Sequence, residues 1–282
     1  MIYVLLLLLV TAVWGWTFVL VKDAITQYPT LPFLEIRFLL ALVVLVVLVH
    51  RLPTRRELRI GAVIGVALAG GYLTQTAGLA ITSPGNAGLI TGLFVVLTPV
   101  INRLFGAPIH WWTWSAVVIS FAGLLLLTGG SFGMNVGDVL VLVCAVLFAL
   151  HIVLLGRWSP GTPSAPLAMV QMGMCALLFS AGGTWSLRPP NGSVWFAIAV
   201  TGVFASAFGY FIQTWVQARI SANRTALILV TEPAWALVAA VVLAGQRLGV
   251  LQAAGAALLL AAIVGHELAS LKFEPHVEAS PP

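Results

Sequence analysis

Ten apolar stretches, each between 17 and 22 residues long, follow one another along the chain with short breaks between them. A helix needs about 20 apolar residues to cross roughly 30 Å of hydrocarbon. Charged residues make up only 7% of the chain, against about 25% in soluble domains, which is too few to cover a water-facing surface. The sequence therefore predicts an all-α membrane protein with ten transmembrane helices and the lipid bilayer as its partner.

The breaks between spans are rich in glycine and proline, as in "YPTLP", "TGGSFG" and "SPGTPSAP". Asp138 follows Gly137 at the start of the sixth stretch, where an acid complements a helix N-terminus. Residues 269–282 are charged and end in prolines, which predicts a disordered cytoplasmic tail. The predicted spans are Ile2–Val21, Phe33–Val49, Ile60–Ile81, Ala87–Phe105, Trp111–Leu127, Val136–Leu155, Leu167–Trp185, Val194–Trp215, Ala226–Ala244 and Val250–His266.

The distribution of Lys and Arg predicts the orientation, because cytoplasmic loops of membrane proteins carry an excess of both. The loop "HRLPTRRELR" between the second and third spans holds four arginines. If this loop is cytoplasmic, nine cations lie on that side and three on the other. Both termini are then cytoplasmic, in a multi-pass protein of the inner (plasma) membrane. The net charge of +5 is explained in this way, so no nucleic-acid partner is expected.

The chain repeats itself. "YLTQTAGLAITS" from Tyr72 matches "YFIQTWVQARIS" from Tyr210 at an offset of 138, and other segments match at 134, including Pro32 with Pro166. Each half contains five spans, and an odd number makes the second copy enter the membrane from the opposite side. The prediction is two inverted five-helix repeats, residues 2–129 and 136–268. Many secondary transporters are built in this way, although a channel or a passive scaffold can also arise by duplication.

Several motifs resemble the drug/metabolite transporter superfamily, in particular its EamA-type members. They include "WGWTFVLVK", "EIRFLLA", "TSPGNAGLITGLFVVLTPV" and "ISANRTALILVTEPAWALVAAVVLAGQRL". The resemblance implies an exporter or facilitator of small organic molecules, with a central cavity lined by spans one to four and six to nine. Members often end the fourth and ninth spans with Gly-Glu. This chain has "GAP" and "GQR" there, so no role of that glutamate passes to Gln246.

Polar side chains inside the spans are costly and therefore mark candidate sites. Arg37 lies near the start of the second span and could meet an anionic group or a structural partner. Glu232 precedes Pro233 in the ninth span, and it could carry a proton in coupled transport or form an ion pair with an arginine. The prolines of the fourth and ninth spans, Pro99 and Pro233, are candidate hinges because each removes a helix hydrogen bond.

The other candidates for a substrate-binding cavity are paired polar or aromatic positions of the two halves. Tyr and Gln recur three residues apart in both copies, which places them on one helix face. These residues could line the cavity or only hold the bundle together by interhelical hydrogen bonds. His151 could bind a ligand, although a lone histidine among apolar residues is more often a packing residue. The set comprises Trp14, Thr17, Tyr72, Gln75, His151, Gln171, Tyr210, Gln213 and Trp235.

No motif for metal, cofactor or catalysis is found in the sequence, so no cofactor and no enzymatic activity are predicted. The favoured interpretation is an alternating-access transporter of small neutral, zwitterionic or cationic metabolites such as amino acids or drugs. The alternatives are a lipid scramblase or flippase-like protein, or a passive structural subunit. A polar cavity closed to lipid favours transport, a polar seam open to the bilayer favours the scramblase, and tight packing favours the structural subunit.

Overall fold

The protein is described by a computed structural model covering residues 2–82, 84–128, 135–181, 188–244 and 249–273. Within these ranges the secondary structure is helical throughout, with no strand, so the predicted all-α class is confirmed. Each predicted span corresponds to one helix or to a run of consecutive helical segments. The spans in chain order are Ile2–Gln27, Thr30–Val49, Arg55–Ile81, Pro84–Gly92 with Phe94–Leu104, Trp111–Thr128, Val136–Trp158, Ser164–Ser180, Gly192–Val200 with Thr201–Phe208 and Gly209–Gln217, Ala222–Leu229 with Glu232–Ala244, and Val250–Phe273.

Five of the helical runs are long and apolar enough to cross a membrane by themselves: the first, second, third, sixth and eighth spans. Two of these helices begin with a capping box. The Thr54 side chain accepts from the backbone N–H of Glu57, whose carboxylate accepts in return from the N–H of Thr54. Asn135 and Asp138 repeat the arrangement at the sixth span, as expected for an acid at a helix N-terminus. The caps mark where the chain leaves a polar turn for an apolar span.

Three spans are interrupted near their centres. The fourth span breaks at Leu93, between Gly92 and Phe94, whereas Pro99 lies inside the continuous helix Phe94–Leu104. Pro99 thus lies six residues after the break, and its role as a hinge stays a prediction. The ninth span breaks at Val230 and Thr231, so that Pro233 falls in the first turn of the next helix, where a proline is tolerated. The eighth span contains a π-helical segment, Thr201–Phe208.

The two halves of the chain are interleaved. The third span packs against the sixth and seventh, and the second span packs against the seventh and eighth. The first span packs against the eighth and ninth, and the fifth pairs with the tenth. Most of the close helix contacts therefore join one half to the other, which means that neither half has an independent core.

Glycines allow the closest of these approaches. A Cβ at Gly78 would lie 2.6 Å from the Gly137 carbonyl oxygen of the sixth span, and a Cβ at Gly123 would lie 2.8 Å from the Gly255 oxygen of the tenth. Small residues at such crossings let helix backbones approach each other in the bilayer, where apolar surface alone gives no preference between helices and lipid. These glycines therefore set the spacing of the spans.

The tenth span is longer than predicted. Its helix continues to Phe273, through the first five residues of the segment 269–282 that was predicted to be disordered. Leu, Ala and Lys in "ELASLKF" are good helix formers, and the first proline comes only at Pro275. The rest of the predicted tail lies outside the described residues.

Candidate functional site

A narrow cavity, with about 50 Å³ of space that water can reach, lies between the two halves. It is lined by residues of the first four spans and of the sixth, eighth and ninth spans. Its walls are mostly apolar and aromatic, with Phe18, Phe94 and Phe148 among them. Nine of the residues predicted from sequence line this cavity: Trp14, Thr17, Arg37, Tyr72, Gln75, His151, Tyr210, Gln213 and Glu232.

Two predicted residues lie elsewhere. Gln171 is fully buried behind the cavity wall, where it holds His151. Trp235 is half-buried in the ninth span and is not among the cavity-lining residues. Gln171 therefore acts on the cavity through another side chain, and Trp235 is not placed to stack on a molecule inside it.

Arg37 is the cation of the cavity. Its side chain is 3% exposed, its Nε donates to the Ser206 hydroxyl at 2.9 Å, and its Nη2 donates to the Tyr72 hydroxyl at 3.3 Å. The guanidinium carbon lies 4.7 Å from the centre of the Tyr72 ring and 5.4 Å from that of Phe38. Aromatic faces and hydroxyl oxygens stabilise a guanidinium without neutralising it, so the positive charge remains available to the cavity.

The two tyrosines of the repeated segments meet at the centre of the molecule. The Tyr210 hydroxyl donates to the Tyr72 hydroxyl at 2.9 Å, across 138 residues of sequence. Trp14 packs on Tyr210 with ring centroids 5.2 Å apart, and Phe148 packs on Tyr72 at 5.5 Å. Tyr72 and Tyr210 are equivalent positions of the two halves, and they are in direct contact. They therefore lie at the interface between the halves.

Glu232 is the carboxylate of the cavity and belongs to the broken ninth span. Among the described residues, the Glu232 side chain forms neither an ion pair within 4 Å nor a hydrogen bond. The ion pair with an arginine that the sequence left open for Glu232 is therefore not formed. The cavity thus contains a guanidinium and a carboxylate that are not paired with each other.

A second polar chain runs behind the cavity. His151 Nε2 is 2.9 Å from Gln171 Oε1, and Gln171 Nε2 donates to the Thr214 hydroxyl at 3.2 Å. The His151 ring also packs edge-on against Tyr210 with centroids 5.7 Å apart. This chain fixes the orientation of the imidazole, so His151 serves at least as a packed and hydrogen-bonded residue.

The two paired glutamines differ in their surroundings. Gln75 donates to the Thr91 hydroxyl of the fourth span at 3.3 Å. Gln213 donates to Gln217, whose own amide donates to the Ile152 carbonyl oxygen at 2.9 Å. The Gln213 carbonyl oxygen is buried without a hydrogen-bond partner. An unsatisfied acceptor of this kind next to a cavity is suited to a donor group of a ligand.

Polar contacts join span ends at both faces of the bundle. On one side the Lys22 ammonium donates to the Leu79 and Thr82 carbonyl oxygens, and the Thr82 hydroxyl donates to Asp138. On the other side Asn102 donates to Asn223, and Arg157 donates to the Phe105 carbonyl oxygen. These contacts join the span ends that the charge distribution assigns to the same side of the membrane.

Sequence reasoning missed Ser206 and Gln217. Serine between alanines in "FASAFGY" carries no charge and no pattern, since its importance comes from Arg37, 169 residues away. Gln217 is the fourth residue after Gln213 and faces the same side of the helix, a spacing that could have identified it. Among the described residues, no cluster of three or more His, Cys, Asp or Glu side chains could hold a metal ion.

A bundle of apolar helices around a cavity with a few convergent polar groups is typical of membrane transport proteins, and comparison with known proteins identifies the family. The model of the EamA-like transporter family matches residues 1–129 and again residues 135–266. The chain belongs to this family, in agreement with the resemblance to the drug/metabolite transporter superfamily. It is therefore a multi-pass integral membrane protein and a transporter.

An uncharacterized transporter of Archaeoglobus fulgidus is 32% identical over 92% of this chain and 83% of its own length. The uncharacterized inner membrane transporter YedA of Escherichia coli K12 is 26% identical over 71% of each chain. One solved crystal structure superposes with a TM-score of 0.78 over 96% of this chain and 98% of its own, at 19% identity. The last similarity shows that the fold is shared.

Proposed function

We propose that the protein exports small zwitterionic metabolites, amino acids in particular, and that neutral and cationic molecules of similar size are further substrates. The supporting observation is that Arg37 and Glu232 line one cavity without forming an ion pair with each other. A carboxylate and an ammonium on one small molecule would satisfy both charges at once.

The cavity walls favour a substrate with an apolar or aromatic side chain. Trp14, Phe18, Phe94 and Phe148 surround the polar groups, and such walls with a few placed polar groups are typical of small-molecule sites. With one cation lining it, the cavity is poorly suited to a multiply charged substrate such as a sugar phosphate.

The proposed mechanism is alternating access by two inverted repeats, residues 2–129 and 136–268. Support comes from the two matches to one family model and from contacts that recur in both halves. The helix breaks at Leu93 and at Val230 and Thr231, next to Pro233, lie beside the cavity in equivalent spans. Glycines, prolines and free carbonyl groups at such breaks suit a bend that opens one side while the other closes. Both termini are proposed to be cytoplasmic.

The test is release from proteoliposomes that contain the purified protein and a mixture of amino acids, purines and cationic dyes. Mass spectrometry follows each solute over time, with protein-free vesicles as the blank. We expect saturable loss of amino acids, reduced at least tenfold by Arg37→Ala and by Glu232→Gln. Arg56→Ala and Asp23→Asn change exposed charges away from the cavity and are the matched controls.

The outcomes separate the alternatives. Equal loss of all solutes, or an equal effect of the control variants, would contradict the proposal. Movement of labelled lipid between leaflets without solute release would support the scramblase alternative. If amino-acid release is faster at an acidic pH and Glu232→Gln abolishes that dependence, Glu232 carries the coupled proton.

A further inference from the structure

Equivalent glycines of the two halves make equivalent contacts, but the number of residues between these glycines differs. A Cβ on Gly65 would meet Met174 and the backbone of Gln171, whereas a Cβ on Gly202 would meet Leu40 and the backbone of Arg37. Met174 and Leu40 are 134 positions apart, as are Gln171 and Arg37. This is the offset between the two copies in this part of the chain, so Gly65 and Gly202 are equivalent positions.

A second pair of glycines, Gly71 and Gly209, shows the same equivalence further along the same two spans. A Cβ on Gly71 would overlap the Phe148 ring, and a Cβ on Gly209 would lie 3.0 Å from Trp14 Nε1. Trp14 and Phe148 are again 134 positions apart. Gly65 and Gly71 are six positions apart, however, and Gly202 and Gly209 are seven apart. The eighth span therefore carries one residue more than the third between equivalent contacts.

The extra residue coincides with the π-helical segment Thr201–Phe208. A π-helical turn accommodates one additional residue, while the helix on either side keeps the same face toward its neighbours. Such turns are frequent at functional sites. The third span has no such interruption over Arg55–Ile81. The insertion is thus a local break of the symmetry between the two halves.

The π-helical segment accepts hydrogen bonds from two residues that line the cavity, Trp14 and Arg37. The Ala205 carbonyl oxygen accepts from Trp14 Nε1 at 2.8 Å, and the Ser206 hydroxyl accepts from Arg37 Nε at 2.9 Å. Gln171, the counterpart of Arg37, instead bonds to His151 and Thr214. Within the described chain, no hydrogen bond uses Arg37 Nη1, although Arg37 lines the cavity. Both N–H groups of Nη1, and the second N–H of Nη2, are therefore donors left for a ligand.

We propose that the inserted residue of the eighth span determines specificity: it places Ser206 as a positioning residue that directs the Arg37 guanidinium to a carboxylate in the cavity. This inference rests on the proposed function and gives its carboxylate preference a structural origin. Ser206 does not line the cavity itself. Ser206 accepts a hydrogen bond from Nε and Tyr72 accepts one from Nη2, so that the planar guanidinium is fixed in one orientation.

The first part of the test needs no substrate. A double-mutant cycle compares Ser206→Ala with and without Arg37→Met, with the apparent melting temperature in detergent as the measurement. With Arg37 present we expect Ser206→Ala to lower this temperature by about 3–12 °C, the effect of losing one hydrogen bond to a charged group. In the Arg37→Met background no change is expected. Equal effects in both backgrounds would show that Ser206 does not act through its hydrogen bond to Arg37, and would overturn the proposal.

The second part compares an amino acid that the parent releases with its carboxamide, in the same proteoliposomes. Deletion of Phe204, which is 56% exposed, removes the extra residue, and Phe204→Ala removes the same side chain but keeps the spacing. We expect the deletion and Ser206→Ala to reduce the preference for the carboxylate about tenfold, while Phe204→Ala and Ser206→Thr retain it. Unchanged preference in the deletion variant would refute the inference. Absence of release by the parent would count against the proposed function alone. The double-mutant cycle on melting temperature would still test the interaction of Ser206 with Arg37.

Discussion

At the residue scale, Tyr72 joins two other polar side chains of the cavity, Arg37 and Tyr210. Its hydroxyl accepts from both Arg37 and Tyr210, and its ring contacts Arg37, Phe38 and Phe148. Tyr210, by contrast, shares a hydrogen bond with Tyr72 only. The two members of a repeated pair therefore differ in importance, although their sequence contexts are alike.

We expect Tyr72→Phe to be more harmful than Tyr210→Phe. The first change leaves two buried donors without an acceptor, at about 1–3 kcal/mol for each group, while the second leaves the Arg37 to Tyr72 bond intact. The apparent melting temperature in detergent and amino-acid release measure the difference. Equal losses in the two variants would show that Tyr72 does not orient Arg37.

A second prediction concerns His151. Because Gln171 holds its ring, Gln171→Leu is expected to free the imidazole and to lower transport several-fold, with a smaller effect on folding. Trp235→Phe, at a predicted residue outside the cavity lining, is the control and should leave transport unchanged. A larger effect of Trp235→Phe than of Gln171→Leu would contradict this placement of the two residues.

At the element scale, the third and sixth spans cross where Gly78 faces Gly137. A methyl group at Gly78 would lie 2.6 Å from a backbone carbonyl oxygen, and backbone cannot move aside as a flexible side chain can. Gly78→Ala should therefore destabilise the protein by about 1–3 kcal/mol. Gly265→Ala is the matched control, since no atom lies within 4 Å of the added Cβ. Thermal unfolding in detergent measures both, and equal melting temperatures would mean that the spans can separate at little cost.

At the scale of the whole molecule, the interleaving of the halves makes them mutually dependent. The third span packs on the sixth and seventh, and the first span packs on the eighth and ninth. We expect a chain cut after residue 131 to assemble when both fragments are co-expressed, and either fragment alone to be degraded. Co-purification through a tag on one fragment is the measurement. Stable accumulation of a single fragment would contradict the interleaved packing.

The orientation is a separate prediction for the whole molecule. With nine cations on the cytoplasmic side and three opposite, a fluorescent protein fused to the C-terminus should fluoresce and an alkaline phosphatase fusion should be inactive. The structure groups the span ends as the charge count does, through the contacts of Lys22 with Thr82 and of Arg157 with Phe105. The reverse reporter pattern would mean that the protein has the opposite orientation in the membrane, with the same fold.

The sequence by itself determined the all-α class, the ten spans and most of the cavity residues. Insertion into lipid depends on the length and polarity of each segment, and both are local properties that can be counted along the chain. The tyrosine and glutamine positions were found because one segment occurs twice. Polar residues in an apolar span are rare, so those that occur tend to face the protein interior.

Only the tertiary structure decided which polar groups meet. Ser206 was invisible in the sequence because its partner is 169 residues away, and Gln171 and Trp235 could not be told from lining residues. Lipid and protein interior are equally apolar, so hydrophobicity does not show which face of a span packs against which neighbour. Those contacts, and the π-helical turn that breaks the symmetry at Arg37, follow from the fit of helices at glycine crossings, which is a property of the assembled bundle.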